Sequence, residues 1–160
     1  YKKDKLELDF LLACNGAVIL TTDGKILKED RVDGDILKPI LDFIFSLGAD
    51  WAKIQSDRSY IIDENDNDRL PDEFTRKTLP ELKYFNQVST ILEDEEEALM
   101  VTNAIKEKYG DILNPLQNGR CIDIVSVTMN KAQGLYNYLE LIGGKYEDMI
   151  TAAIEKQQGE

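Results

Sequence analysis

Residues 122–135, IDIVSVTMNKAQGL, decide how the rest of this chain is read. Ile122 and Ile124 alternate with Cys121, Asp123, Val125 and Val127, a β-branched density suited to a pleated, mostly buried strand. The chain then turns at Thr128-Met129-Asn130 and enters a helix with apolar positions Leu135, Tyr138, Leu139 and Ile142, closed by Gly143-Gly144. Lys131 therefore stands where strand hands over to helix. A cation there opposes the positive end of the helix dipole by ~0.3–1 kcal/mol. A lysine held against that field either serves an anion nearby or points into water.

Composition bounds what surrounds this segment. The chain has 160 residues, enough for one domain with a sizeable core, and its 42% hydrophobic share predicts a folded one. Nineteen basic against 31 acidic residues give a formal charge of −12. Phosphate backbones and anionic membrane surfaces demand clustered Lys and Arg, so nucleic acid and membrane are excluded as expected partners. A small anion is still accommodated where a few cations are focused. No apolar run approaches the ~20 residues of a membrane span. No signal peptide is expected, and a cytoplasmic location is. Cys14 and Cys121 both lie in apolar strand-like contexts and read as small buried hydrophobes in a reducing compartment. Histidine is absent. That excludes Ser-His-Asp, Cys-His and HExxH chemistry, so catalysis would rest on carboxylates, lysine or an oxygen-held metal.

Toward the N-terminus, residues 1–8 form a polar lead-in, and residues 9–20, DFLLACNGAVIL, make two apolar runs broken at Asn15-Gly16. Asn-Gly tolerates positive φ, which predicts a turn between two buried strands. A second turn at Thr22-Asp23-Gly24-Lys25 leads to a short strand over residues 25–29. Asp33-Gly34-Asp35 opens a helix with Ile36, Leu37, Ile40, Leu41, Ile44 and Leu47 at helical spacing and Gly48 at its end. Strands are expected at 51–55, 59–62 and 87–92, and a short helix at 80–84. Asp94, with Glu97 three residues on, opens a further helix whose stripe is Ala98, Val101, Ile105 and Tyr109. Asn114-Pro115 and Asn118-Gly119 read as turns. The order predicts an α+β fold, with helices packed on one face of a mainly antiparallel sheet.

Two of these segments together resemble Cof-type haloacid dehalogenase-like (HAD) phosphatases. In that family a strand ending in Asn-Gly-Ala lies just before the cap, which Cys14-Asn15-Gly16-Ala17 matches. An acidic-Ile strand, a short turn and an Asn/Ser-Lys-Gly-x-Ala-Leu helix start mark re-entry into the catalytic core. Here Asp123-Ile124 leads to Asn130-Lys131-Ala132-Gln133-Gly134-Leu135. Ser126 stands where proline is common, Thr128 for a glycine, and Ala132 for the glycine after the lysine. The resemblance implies a type IIB (C2) cap flanked by short pieces of an α/β core. Residues 1–20 would be a residual core strand and hairpin start, 21–128 the cap, and 129–160 the re-entry helix and tail, all in one compact unit.

The same resemblance implies a phosphatase of small phosphorylated metabolites such as sugar phosphates. The parent protein would use Mg²⁺, with a catalytic HAD core domain as the cap's partner. Lys131 would be catalytic, balancing a nucleophilic carboxylate and the phosphate oxygens, and Asn15 and Asn130 would meet substrate. No residue of this chain is implied as a metal ligand. The family's DxDGT nucleophile strand and GDxxND motif are both missing from the 160 residues. A fragment of a phosphatase, or a cap-like domain that has lost the chemistry, would each account for that. The competing reading is a non-catalytic α+β module that binds a small molecule or a protein.

Residues 63–72, DENDNDRLPD, match the first three ligand positions of an EF-hand loop with Asp63, Asn65 and Asn67. The loop then has Asp68 where glycine makes the sharp turn and Phe74 where a bidentate Glu is needed. Calorimetric titration with Ca²⁺ is therefore expected to show no saturable binding below millimolar. A micromolar dissociation constant would restore the calcium loop.

Overall fold

The computed structural model describes residues 10–144. Strand β1 (Phe10–Ala13) runs into a single 3-10 turn over Cys14–Gly16, then β2 (Val18–Thr21) and β3 (Ile26–Glu29). Cys14, Asn15 and Gly16 all have positive φ, at 52°, 55° and 92°. Asn and Gly suit that region; the cysteine does so only because its neighbours fix it there. The three strands form a small antiparallel sheet in sequence order.

A two-residue strand β4 (Val32–Asp33) leads through a 3-10 turn into α1 (Leu37–Ser46), where the Asp33 side chain accepts from the Asp35 N–H. Then follow β5 (Trp51–Gln55), β6 (Ser59–Asp63), β7 (Glu73–Phe74), β8 (Tyr84–Phe85), β9 (Gln87–Ile91), α2 (Glu95–Tyr109), β10 (Leu113–Asn118), β11 (Cys121–Ser126) and α3 (Lys131–Ile142). The main sheet has six strands in the order β10-β11-β9-β5-β6-β7. All its pairings are antiparallel except β6 with β7.

Alternation along the strands sorts this sheet into two unlike faces. Ala52, Ile54, Ile62, Val88, Ile122 and Ile124 point to one side and meet Leu37, Ile40, Leu41 and Ile44 of α1 and Ala98, Val101 and Ile105 of α2. Ile40, Ile44, Ile54, Ile62, Ile105, Ile122 and Ile124 are completely buried. Each full burial of such a side chain contributes ~1.5–3 kcal/mol. This is the main core. The opposite face carries Lys53, Gln55, Gln87, Ser89 and Asp123.

The expected α+β class holds, and two of the three helices share one sheet face. The third does not. Helix α3 packs instead on the Cys14–Gly16 turn and β2, over a second small cluster of Ala17, Val125 and Met129. Gly134 makes this possible: a Cβ on it would lie 2.5 Å from the Cα of Gly16, and one on Gly16 would lie 2.6 Å from the Cα of Gly134. The two backbones touch directly. The buried side of α3 is accordingly Gly134, Asn137 and Leu139, and Ile142 is exposed. Gly143, at φ 68°, ends the helix in the left-handed conformation expected of a glycine cap.

Three local expectations are corrected. Residues 80–84 form no helix. The carbonyl of Lys83 is taken by the Gly34 N–H at 2.9 Å, and Tyr84–Phe85 pairs with Val32–Asp33. Asn114-Pro115 is not a turn but lies inside β10, and Pro115 is tolerated because, among the described residues, β10 is an edge strand with no ladder partner outside. Cys121 is exposed, since it stands on the open sheet face, while Cys14 is partly buried; both are free thiols. Asp9, the lead-in and the tail after residue 144 lie outside the described residues.

The calcium-like loop is held by its own carboxylates: Asp63 accepts from the N–H groups of Asn65 and Asp66, and Asp66 from that of Asp68. The Asp94 side chain caps α2 through the Glu97 N–H at 2.8 Å.

Alanine at position 134 would raise intrinsic helix propensity yet force its methyl into the Gly16 backbone. Overpacking of this kind costs ~1–3 kcal/mol. Gly134→Ala is therefore expected to lower the urea midpoint without changing the slope, and an unchanged or raised midpoint would show that the close approach does not exist.

Candidate functional site

The 3-10 turn and the start of α3 come together at the Gly16–Gly134 contact, and a cleft opens beside it. Asn130, the residue before the helix, accepts the Gln133 N–H on its Oδ1 at 2.8 Å. Its backbone is extended, so its side chain caps the helix and its amide nitrogen is left for other partners. The turn below is pinned from β10, where the Asn114 amide donates to the Met129 carbonyl at 2.7 Å. Lys131 follows as the first helical residue, exposed, and among the described residues it makes no ion pair. A cleft of about 370 Å³ is lined by Asn15, Asn130 and Lys131 with Leu116, Gln117, Asn118 and Asp123. All three residues singled out in the sequence are thus brought to one place.

Sequence reasoning missed what holds Asn15 there. Its Nδ2 donates to Gln87 Oε1 at 3.0 Å and to Asp123 Oδ2 at 2.9 Å. Gln87 Nε2 donates to Ser89 Oγ at 2.8 Å, and the Ser89 hydroxyl donates to Asp123 Oδ1 at 2.7 Å. The four side chains close a ring. Its direction is fixed by chemistry, because an ionised carboxylate only accepts, so Asn15 must turn its nitrogen toward Asp123. Register explains the meeting: Asp123 pairs with Ser89, and Ser89 in turn with Lys53. The sequence signal was present in the alternation Gln87-Val88-Ser89, which sets two polar residues on the same face two positions apart.

Electrostatics around the turn are uneven. The Cys14 thiol is pushed up to about 11, chiefly by burial, then by the negative charge of Asp123, with Lys53 pulling the other way. Such a thiol is protonated at neutral pH and is no nucleophile. A second cavity, of about 310 Å³, lies between α1 and residues 79–82. Its Arg76 is already ion-paired with Asp42 and Glu64, and it shares no residue with the first.

The model of the haloacid dehalogenase-like hydrolase family matches residues 1–152. The chain belongs to that family. Solved structures agree in fold. A HAD-like hydrolase from B. subtilis superposes with a TM-score of 0.69 at 12% identity, covering 90% of this chain and 62% of the other. SMU.1108c from Streptococcus mutans UA159 gives 0.66 at 20%, covering 82% and 53%. The HAD subclass IIB sugar phosphatase BT4131 gives 0.67 at 14%, covering 91% and 57%. The chain thus spans 53–62% of the length of these three structures. No curated protein matches it. Among the described residues no helix is long and apolar enough to cross a membrane.

Because the Cys14 thiol is raised above its ordinary value of 9.0, the folded state favours its neutral form. That contribution to stability is complete below pH 9 and is lost as pH rises through about 11. Thiol labelling of the folded protein at pH 8 is expected to modify Cys121 and spare Cys14 until denaturant is added. Equal labelling rates would show that the turn does not shield it.

Proposed function

We propose that the chain is the cap-bearing portion of a Mg²⁺-dependent HAD phosphatase acting on small phosphorylated metabolites. Residues 21–128 would form the cap, and 1–20 and 129–160 would belong to the core, with the first boundary cutting the small sheet at the end of β2. One observation carries this reading: Lys131 and Asn15, far apart in the chain, line a single cleft in a member of a hydrolase family. The sugar phosphatase BT4131, which shares the fold, supports phosphorylated sugars as a substrate class.

In this reading Lys131 supplies a fixed positive charge at the positive end of α3, where phosphate oxygens and a nucleophilic carboxylate would otherwise repel one another. Asn130, held by its capping bond, keeps its amide nitrogen free to donate to the same anion. Asn15 lines the same cleft. Magnesium needs several oxygen ligands in near-octahedral array. Among the described residues no three ligating side chains converge, and Asp123 already accepts two hydrogen bonds. The residues present do not fit the ion, and it enters no step here. In the proposed protein it belongs to the portion that carries the nucleophile.

Two measurements test the proposal. The 160 residues alone, with Mg²⁺, are expected to hydrolyse no p-nitrophenyl phosphate, since among the described residues nothing is placed to attack phosphorus. Joined to a portion bearing DxDGT, the same segment is expected to lose ~10²-fold or more in turnover on Lys131→Ala, as one preorganised charge contact does elsewhere. Turnover by the 160 residues that copurifies with them, or near wild-type turnover of the lysine variant, would remove Lys131 from this role.

A further inference from the structure

Two of the four hydrogen bonds in the ring end on Asp123, and the other two lead to it through Gln87 and Ser89. Asn15 spends both amide hydrogens within it, one on Gln87 and one on Asp123. Gln87 passes a hydrogen to Ser89, and Ser89 passes its own to Asp123. With the ring closed, the Asn15 side chain has no N–H left for a phosphate. What it retains is its carbonyl oxygen. Asp123, with about four lone-pair sites on its carboxylate and two of them used, also retains acceptor capacity. Asp123 lines the cleft, and it is only partly buried.

The cleft is therefore polarised. At one end stand Lys131 and the free amide of Asn130, which suit an anion. The same cleft is lined by Asp123 and Asn15, whose remaining acceptors are negative or neutral and would repel one. We propose that Asp123, with Asn15 beside it, is a specificity-determining acceptor that selects phosphate esters whose leaving group carries a hydrogen-bond donor, a hydroxyl above all, close to the ester. The inference rests on the reading of Lys131 as the phosphate anchor and adds the second half of the recognition. Asn15 then acts on the leaving group and not on the phosphate. Aryl phosphates, which offer no donor, leave the Asp123 lone pairs desolvated and unmatched, and buried polar groups left unpaired are how such a site discriminates.

Amide NMR titrations of the full chain test this with four probes: inorganic phosphate, phenyl phosphate, sorbitol 6-phosphate and sorbitol. Both esters are expected to move the Lys131 amide, with sorbitol 6-phosphate binding at least about tenfold more tightly, the low end for a hydrogen bond to a charged acceptor. In Asp123→Asn the preference is expected to shrink to about threefold or less, with phenyl phosphate binding no worse than before. Ser89→Ala breaks the ring but keeps the carboxylate, so it should keep the preference. A wild-type chain that treats the two esters alike, an Asp123→Asn variant that still distinguishes them, or loss of the preference in Ser89→Ala would each overturn the inference. Failure of every phosphate to move Lys131 would sink the anchor reading instead. Sorbitol then decides alone: at high concentration it is expected to shift the Asn15 side-chain and Ser89 amide signals in the wild type and not in Asp123→Asn. Unmoved signals in both would end the proposal.

Discussion

The site depends on one backbone contact. Gly16 and Gly134 approach so closely that neither could carry a side chain, and each belongs to a segment that does nothing alone. The turn over Cys14–Gly16 presents Asn15; the first turn of α3 presents Lys131. Removing both Cβ atoms lets these two segments meet and sets Lys131 and Asn15 on one cleft. The second small cluster of Ala17, Val125 and Met129 then supports that junction from below. The large core under α1 and α2 is a separate cluster from the one beneath this contact.

The ring of Asn15, Gln87, Ser89 and Asp123 ties the same turn to the main sheet. Its members come from three separate passes of the chain, and each contributes through a different property of its side chain. Asn15 has two donors, Gln87 one donor and one acceptor in use, Ser89 one of each, and Asp123 acceptors only. Such a network is fully satisfied in one arrangement, which fixes the rotamers of all four.

Much of this was legible in residue patterns, and the exceptions have physical causes. Helices with a clear 3.6 period and a capping residue, such as α2 behind Asp94, could be read directly, as could the Asn-Gly turn and the strand to helix handover at Lys131. Short strands could not. Val32–Asp33 and Tyr84–Phe85 exist only because each is the other's partner, and two residues carry no period. Pro115 reads as a turn until the sheet order makes β10 an edge. In α3, Leu139 is buried as its spacing predicts, and only the exposed Ile142 and buried Asn137 depart from the apolar pattern, because the helix packs closely through Gly134. In the site, Lys131 and Asn15 stood out by residue type at known spacing. Asp123 stood in the same motif as Lys131, but its meeting with Gln87 and Ser89 is a matter of strand register between segments that no local pattern connects.

The edges of the six-stranded sheet bear on the behaviour of the chain at high concentration. A free strand edge is a template for adding another molecule's strand, and long flat edges invite aggregation. Here one edge is β10, interrupted by Pro115, which has no N–H to offer an incoming strand. The other is β7, only two residues long. Neither gives a second molecule room for more than a few hydrogen bonds, and the formal charge of −12 adds mutual repulsion. The proline that is easily taken for a loop residue thus serves as a stop at that edge of the sheet.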